Sequence, residues 1–575
     1  MLLTACGGGG PDRKSMDGTE PLQKDEVNTS GNMQASQAFV LAPPVAVPGT
    51  HRVRLRWAGA PAGSWVSVWL ADDMQRFRTI ATRLAGQAAE VDLGAVWKLD
   101  WPSARLRLRA CVGNPSACVD SNTRPLVDAL AAGVAKVDPP QQRLASVFSS
   151  RVALSADGNT LAVADPLDFA PTQPRPPGTG SIQVYRRTQG GWQREAYLAN
   201  FDVDGNFGDP MALSGDGRTL MVGAYTDGGM AGGINPPVAG GSDNWTGGVY
   251  VFVREAGPAW RRQAFLKAAQ PALGETFGYR LATSHDGNRL VVGGTRHRLH
   301  VFVREAGTWR QEGLIQELPN EAELLANQAL ALSGDGRRIA CTASIASAPA
   351  TQARPRAVRV YAYHTGSVWT RSGDLRSGKP PPANAPFDPH ADAFGSALSF
   401  DHAGTILAVG APGDHGDAND TGNDPGNLRA PDAGAVYIFG ATGSTWQRRA
   451  FLKARNAVAR DQFGADLAFS ADGRVLLGKA CGYSGNAAGV RRNHRDGTAA
   501  RHQGDGCVWG GSAYLLTQDD AGRWRHASSV VPVGSDLVSY EFFSLALSAD
   551  ASTFALGTSI QHLQEGSQEN RVFVY

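Results

Sequence analysis

Between residues 38 and 128, apolar and polar positions alternate in several short segments, as half-buried strands do. In the segment HRVRLRW, Val53, Leu55 and Trp57 fall on one side and three arginines fall on the other. A period of two is typical of a strand with one buried face. The segments WVSVWLA, FRTIATRL, AAEVDLGAV and ARLRLRACV repeat the pattern at strand length. Six or seven short strands in about 90 residues predict a β-sandwich.

After residue 128 a different pattern begins and occurs seven times. Each copy joins two apolar strands through a turn of the type Ser-x-Asp-Gly, as in QFGADLAFSADGRVLLGKA at residues 462–480. Successive turns are 49 to 78 residues apart. A repeat of this length is typical of an array or a propeller. The aligned turn positions are Asp157, Asp216, Asp286, Asp335, Ala403, Asp472 and Asp550.

Each copy also carries a second pair of strands. The third strand reads, for example, GVYVFVREAG, and in all copies but the last a tryptophan opens a fourth strand. The last copy stops at Tyr575 before its fourth strand. The segment ALAAGVAKV at residues 129–137 is similar to the fourth strands RRQAFLKAA and QRRAFLKAR. We therefore expect this N-terminal strand to complete the last unit, which removes the open sheet edges.

The repeated Phe-Gly pair, the turn and the segment Gly410-Ala411-Pro412 resemble the FG-GAP family of integrin-α-type propellers. The resemblance covers residues 129–575 and implies an all-β fold, a seven-bladed β-propeller of four-stranded blades. The strand rhythm of residues 38–128 resembles a fibronectin type III or immunoglobulin-like sandwich. Some first hairpins of the family bind calcium through a D-x-D-x-D-G loop, but these hairpins carry one carboxylate each, too few for calcium. We therefore expect no bound cofactor, with calcium binding kept as an alternative.

Length and charge limit the class of protein. A chain of 575 residues is longer than one hydrophobic core usually organises, which agrees with repeated units. The 55 Lys and Arg nearly balance the 53 Asp and Glu, so there is no general attraction to nucleic acid. No run approaches the roughly 18 apolar residues of a transmembrane helix. Any attachment to a membrane must have another source.

The N-terminus resembles a bacterial lipoprotein signal. Leu3-Thr4-Ala5-Cys6 matches the box in which the cysteine is lipidated, although only five residues precede Cys6. Residues 1–6 are therefore interpreted as the remnant of a signal whose start lies upstream, and a chance cysteine is the alternative. Residues 7–37 have almost no large apolar groups and are predicted to form a disordered tether. By resemblance, lipidation places the protein on the outer membrane or cell surface, with a periplasmic orientation open.

The other cysteines predict two disulfide bonds. Cys111 and Cys118 flank a turn, and Cys481 and Cys507 flank a long polar loop. Reduced cysteines are the alternative, since pairing cannot be read from spacing. Cys341 lies in an apolar strand pattern and is expected in the core.

Catalytic motifs are scarce. The sequence has no H-E-x-x-H, no G-x-S-x-G and no phosphate-binding loop. His494 and His502 lie in the segment NHRDGTAARHQGDG. This segment is interpreted either as a metal site or as a solvated loop. We expect no enzyme, although an active site assembled from separate loops stays open.

Long insertions between second and third strands favour binding on one face of the propeller. They cover residues 165–180, 225–247, 413–433 and 482–506, and residues 379–392 join them. One insertion holds an exposed aromatic candidate, Trp245. Another holds four acidic residues that either bind a cation or form a solvated loop: Asp414, Asp417, Asp420 and Asp424.

Three functions remain at this stage. The first is a monomeric, surface-anchored propeller that binds a protein or matrix partner through this face. The second is a carbohydrate-binding module, for which Trp245 and the acidic loop are the candidates. The third is an enzyme with a loop-assembled site.

Overall fold

The structure is a computed structural model, and it describes most of the chain after residue 37. The described residues are 38–71, 76–113, 117–139, 147–168, 180–199, 207–237, 243–317, 322–345, 356–366, 368–379, 392–420, 422, 427–481, 489–491, 511–532, 539–562 and 567–575. Within them the fold is all-β, with a single α-helix. That helix has seven residues, and no helix in the described residues is long and apolar enough to cross a membrane.

Two antiparallel sheets form the N-terminal region. In the first, β3 pairs with β1, β2 and β6; in the second, the order is β5-β4-β7-β8 and β9 also pairs with β7. A 3-10 helix, Val96–Lys98, follows β6. The strands are β1 (Val40–Leu41), β2 (Val45–Ala46), β3 (Arg52–Ala58), β4 (Trp65–Ala71), β5 (Phe77–Leu84), β6 (Ala88–Asp92), β7 (Arg105–Cys111), β8 (Cys118–Asp120) and β9 (Arg124–Pro125).

The alternation in the sequence correctly predicts the buried side of β3. Val53, Leu55 and Trp57 of β3 are buried, while the residues between them are exposed. They share one apolar cluster with Leu106 and Leu108 of β7, so the two sheets pack against each other. The predicted bond between Cys111 and Cys118 is confirmed and joins β7 to β8.

The described residues after 134 form seven antiparallel sheets of four or five strands, numbered here in chain order. Sheets 1 to 3 contain β11 (Arg151–Leu154), β12 (Thr160–Asp165), β13 (Ser181–Thr188) and β14 (Gly191–Ala199); β15 (Met211–Leu213), β16 (Thr219–Ala224), β17 (Gly248–Arg254) and β18 (Trp260–Leu266); and β19 (Arg280–Thr283), β20 (Arg289–Gly293), β21 (Arg298–Glu305) and β22 (Thr308–Gln316).

Sheets 4 and 6 have a fifth strand. In sheet 4, β23 and β24 both pair with β25; in sheet 6, β34 adds to the edge strand β36. Sheets 4 and 5 contain β23 (Ala322–Leu324), β24 (Leu330–Leu332), β25 (Arg338–Ile345), β26 (Arg356–His364) and β27 (Val368–Leu375); and β28 (Leu398–Phe400), β29 (Ile406–Ala411), β30 (Ala435–Thr442) and β31 (Thr445–Leu452). Sheet 6 contains β32 (Leu467–Phe469), β33 (Val475–Ala480), β34 (Gly489–Arg491), β35 (Ser512–Gln518) and β36 (Trp524–Val531).

Sheet 7 joins the two ends of the repeats. It contains β37 (Ser539–Leu547), β38 (Phe554–His562), β39 (Ser567–Val574) and the N-terminal strand β10 (Ala135–Val137). The expected pairing is observed, with Ala135 opposite Val574. The predicted strand is wrong in its first half, because residues Val127–Gly133 form the helix α1, whose Ala129 and Leu130 pack into the N-terminal core.

The first strands of the sheets follow one another in a closed circle. Contacts link β11, β15, β19, β24, β28, β32 and β37 in turn, and β37 returns to β11. The turns that follow the first strands are also linked in a closed circle. Each turn donates one backbone hydrogen bond of 2.7–2.9 Å to the next turn. These bonds run from Ala156 N to Gly215 O, Gly215 N to His285 O, His285 N to Gly334 O, Asp335 N to His402 O, His402 N to Ala471 O, Ala471 N to Ala549 O and Ala549 N to Ala156 O.

The repeated Ser-x-Asp-Gly sequence holds these turns. In sheet 3, the Ser284 hydroxyl donates to Asp286 Oδ1 at 2.5 Å, and the same oxygen accepts the backbone N–H of Asn288 at 2.9 Å. Burial opposes ionisation of Asp286, but these hydrogen bonds outweigh it and hold the pKa of Asp286 below its usual value. The carboxylate of the repeat therefore stabilises the turn by accepting its hydrogen bonds.

The Phe-Gly pair packs one sheet onto the next. Phe277 is buried in one apolar cluster with Val249 and Val251 of the preceding sheet, and Gly278 has a φ of 96°. A Cβ on Gly278 would stand 2.6 Å from the carbonyl oxygen of Gly248 in the preceding sheet. Glycine is needed here because a side chain would separate the two backbones.

The N-terminal region packs against sheets 6 and 7. Trp97 Nε1 donates to the carbonyl of Ala551, in the turn of sheet 7, at 2.6 Å. Trp101 N donates to the carbonyl of Val490 in β34 at 3.1 Å, and its ring lies 6.1 Å from that of Tyr575. Strand β34 lies inside the predicted insertion 482–506, so part of that insertion contacts the N-terminal region.

Candidate functional site on the loop face

Two opposite sides of the repeats differ in the length of their connections. We call the side with the Ser-x-Asp-Gly turns the turn face. The loop face is the other side, where second strands lead to third strands and each sheet leads to the next. Two of its loops are well described: the Trp245 loop of sheet 2 (residues 225–237 and 243–247) and the Asp414 loop of sheet 5 (residues 412–420, 422 and 427–434).

Backbone hydrogen bonds fix Trp245 in place. Its carbonyl accepts the N–H of Thr276 at 2.8 Å, and the carbonyl of the preceding Asn244 accepts the N–H of Gly274 at the same distance. On the other side, the hydroxyl of Thr246 donates to the carbonyl of Gly229 at 2.7 Å. The Trp245 backbone is thereby tied both to its own loop and to the segment that leads into sheet 3.

Three large apolar side chains lie exposed on the segments that these bonds join. Met230 is 51% exposed, Trp245 is 52% exposed and Leu273 is 57% exposed. Sequence reasoning identified Trp245 but missed Met230 and Leu273, because the hydrogen bonds that join the segments of all three residues cannot be read from the sequence. We call these three residues the Trp245 patch.

A buried ion pair stands beneath the Trp245 patch. The ammonium group of Lys267 contacts Asp227 Oδ1 and donates to the Thr246 hydroxyl at 3.0 Å. Both charged side chains are only 1% exposed. Burial lowers the pKa of Lys267, and Asp227 counteracts it. Lys267 therefore connects the end of β18 to both ends of the Trp245 loop.

Buried ion pairs also hold the Asp414 loop, where two lysines contact two aspartates. Lys453 donates to Asp414 Oδ1 at 2.9 Å, and Lys379 donates to Asp414 Oδ2 at 2.9 Å and to Asp420 Oδ2 at 2.6 Å. Burial opposes ionisation of Asp414, but the two lysines outweigh it and hold its pKa below the usual value. Ammonium groups therefore occupy the space where a cation bound by Asp414 and Asp420 would lie.

The remaining predicted site residues have separate surroundings. Asp417 accepts hydrogen bonds from the Asn419 backbone at 3.0 Å and from the Asn427 side chain at 3.0 Å. Cys481 forms a disulfide bond, whereas its predicted partner Cys507 lies outside the described residues. The same holds for Cys6, Asp424, His494 and His502. Cys341 is fully buried, and burial raises the pKa of its thiol to about 12, which agrees with a core residue.

The two loops rest on acidic residues with opposite pKa shifts. Glu275, before sheet 3, accepts from Arg298 at 2.6 Å and lies 3.1 Å from His300 Nε2. Burial opposes its ionisation, but these partners hold its pKa below the usual value. Asp461, before sheet 6, is buried, and burial raises its pKa to about 7.

In the described part of the chain, no three His, Cys, Asp or Glu side chains are grouped as metal ligands. The lysines missed by sequence reasoning had one signal: the repeated FLKA at the end of β18 and β31. That repeat identifies Lys267 and Lys453 as equivalent. Lys379 has no such counterpart in the sequence.

No family model matches this chain, and no curated protein matches it. Among solved structures it is similar to a chain of a mitotic checkpoint complex (14% identity, TM-score 0.39), over 76% of this chain and 91% of that chain. It is also similar to the β-propeller domain of Cps50 (Swd1) from Myceliophteria thermophila (10% identity, TM-score 0.40), over 76% of this chain and 99% of that domain. A third similar structure is a proposed 6-phosphogluconolactonase from Bacteroides uniformis (11% identity, TM-score 0.39), over 72% of this chain and 95% of that chain. These similarities concern the fold alone.

Proposed function

We propose that this chain is a non-enzymatic lipoprotein of a bacterial outer membrane or cell surface whose loop face binds a protein or matrix partner. Cys6 carries the lipid and residues 7–37 form the tether. A fibronectin type III or immunoglobulin-like sandwich and a closed seven-bladed propeller follow. The two packed N-terminal sheets support the sandwich. The pairing of β10 with β39 and the closed circle of first strands support the propeller.

The observation that carries the binding function is the Trp245 patch. Binding energy at protein interfaces concentrates in a few large side chains, with tryptophan foremost among them. Trp245 is more than half exposed, and hydrogen bonds hold its backbone on both sides. A partner would therefore meet a side chain whose backbone is already ordered, which reduces the entropy lost on binding.

The position of the N-terminal region supports presentation of this face. That region packs against sheets 6 and 7, through Trp97 and Trp101. A tether that continues from residue 38 therefore starts from a region that leaves the loop face of sheets 2 and 3 uncovered. An anchored protein can then turn the Trp245 patch toward a partner.

The test is crosslinking and capture from cell envelopes of the source bacterium with the full-length chain and with Trp245→Ala. We expect a specific partner to be captured by the unmodified chain and to be reduced at least tenfold with Trp245→Ala, since a central interface tryptophan contributes about 2 kcal/mol or more. Trp65→Ala is the matched control, because Trp65 is 36% exposed on β4 of the N-terminal region.

Equal capture by all three proteins would overturn the role of the Trp245 patch. If no protein is captured and the folded chain instead binds a defined glycan in a Trp245-dependent way, the carbohydrate-binding alternative replaces the proposal. Trp245 is relevant to both functions because its aromatic face can stack on a sugar ring as well as pack against a protein. Turnover of a substrate that loop-face substitutions abolish would favour the enzyme alternative.

A further inference from the structure

The circle of turns on the turn face carries two histidines among small residues. The second residue of the Ser-x-Asp-Gly turn is alanine or glycine in sheets 1, 2, 4, 6 and 7. In sheets 3 and 5 it is His285 and His402. Both side chains are exposed, and their imidazole rings lie 5.1 Å apart between centres at an angle of 82°.

Two glycines make room for these rings. A Cβ on Gly215 would stand 2.2 Å from Nδ1 of His285, and a Cβ on Gly334 would stand 2.4 Å from Nδ1 of His402. Neither glycine has a positive φ, in contrast to Gly217 and Gly336 two residues later. The backbone therefore accepts alanine at 215 and 334, and it is the neighbouring imidazole that requires glycine.

We propose that His285 and His402 bind one divalent transition-metal cation, such as Zn²⁺ or Cu²⁺, with water in the remaining coordination positions. Imidazole nitrogen is a preferred ligand of these ions. A tetrahedral zinc ion about 2.0–2.1 Å from each nitrogen places the two ring centres roughly 5 Å apart. The observed separation of 5.1 Å matches this spacing.

The surrounding carboxylates belong to the turns. Asp286 accepts from Ser284 and Asn288. Asp401, which replaces the serine in sheet 5, accepts from the Thr405 hydroxyl and the Ile406 backbone, each at 2.8 Å. The site therefore has two protein ligands and binds metal more weakly than a structural site with four. The hydrogen-bonded turns fix the backbone of both histidines before metal arrives, which favours binding.

The separation of 5.1 Å also fits two aromatic rings packed edge to face without metal. Metal binding distinguishes these cases. The test is titration of the full-length chain with zinc chloride, followed by calorimetry, and repeated with His285→Gln, His402→Gln and His364→Gln. His364 is an exposed histidine at the end of β26 and is the matched control.

We expect one binding event of the unmodified chain to weaken at least tenfold in each of the first two variants and to persist in His364→Gln. Gly334→Ala should weaken the same event without removing a ligand, because its Cβ displaces the His402 ring. Thermal melting checks that each variant is folded. Absence of any zinc binding to the unmodified chain overturns the proposal. So does binding that survives the double variant His285→Gln, His402→Gln unchanged, because other histidines then hold the metal.

Discussion

The Trp245 loop and the Asp414 loop have the same supporting contacts and differ in the side chain at the tip. In both, a lysine at the end of the fourth strand contacts an aspartate after the second strand: Lys267 with Asp227, and Lys453 with Asp414. Trp245 and Asp432 also occupy equivalent positions. The carbonyl of each accepts, at 2.8 Å, the N–H of the residue before the next sheet's phenylalanine. The repeat therefore conserves the support of the loop and varies its tip.

The backbone conformation at the tip belongs to this shared support. Trp245 has a φ of 48° and Asp432 has a φ of 55°. Their hydrogen-bonding partners, Thr276 and Gln462, have φ values of 48° and 49°. A left-handed φ at a tryptophan would by itself suggest strain kept for function. Its recurrence at an aspartate indicates that the loop geometry imposes it on whichever residue stands there.

The largest expected effect is on the free energy of unfolding, and it distinguishes Lys267 from Lys453. Lys267→Met leaves Asp227 buried without its cation, which we expect to lower the free energy of unfolding by about 3–5 kcal/mol. Lys453→Met should cost less, about 1–3 kcal/mol, because Asp414 retains Lys379 at 2.9 Å. Urea denaturation of both variants measures the difference.

The double variant Asp227→Asn, Lys267→Met is the control. Removing both charges should restore part of the stability lost in Lys267→Met, since the penalty comes from an unpaired buried carboxylate. Equal losses in Lys267→Met and Lys453→Met would show that Lys379 does not compensate for the loss of Lys453.

The acidic residues at the base of the loops should respond to pH in opposite ways. With its pKa raised to about 7, Asp461 stays protonated in the folded protein while the unfolded chain ionises above about pH 4. Its contribution to stability is therefore complete below pH 4 and is lost as pH rises to 7, by roughly 4 kcal/mol. Glu275, with a lowered pKa, contributes above its unfolded value of about 4.3, and this contribution is lost as pH falls.

Urea denaturation between about pH 2.5 and pH 7 tests this difference. Relative to the unmodified chain, Asp461→Asn should gain stability as pH rises from about 4 to 7. Glu275→Gln should show a constant deficit above about pH 4.3, and this deficit should shrink only as pH falls below that value. The two variants serve as controls for each other because both replace a carboxylate by an amide at equivalent positions. Parallel pH dependence would contradict the assignment of opposite shifts.

Local periodicity was enough to predict the strands, the turns and the closing strand. Val53, Leu55 and Trp57 have the burial that alternation requires, and the FLKA similarity located the strand that pairs with β39. The helix α1 was missed because Ala129 and Leu130 gain burial only against the N-terminal sheets. The acidic loop was ambiguous for the same reason. Lys379 reaches Asp414 across 35 positions of sequence, and no local pattern announces that contact.

The smallest effect on stability should come from the tip itself. Trp245→Gly relieves the cost of a left-handed φ, about 1–2 kcal/mol, but increases the entropy of the unfolded chain by a similar amount. Because the side chain is 52% exposed, about half of its apolar surface is lost from packing, and the free energy of unfolding should fall by about 1–2 kcal/mol. Urea denaturation of Trp245→Gly, beside Asp432→Gly in the equivalent position, measures this. A loss above about 3 kcal/mol in the tryptophan variant alone would mean that Trp245 supports the loop, and a smaller loss leaves its exposed side chain available for a partner.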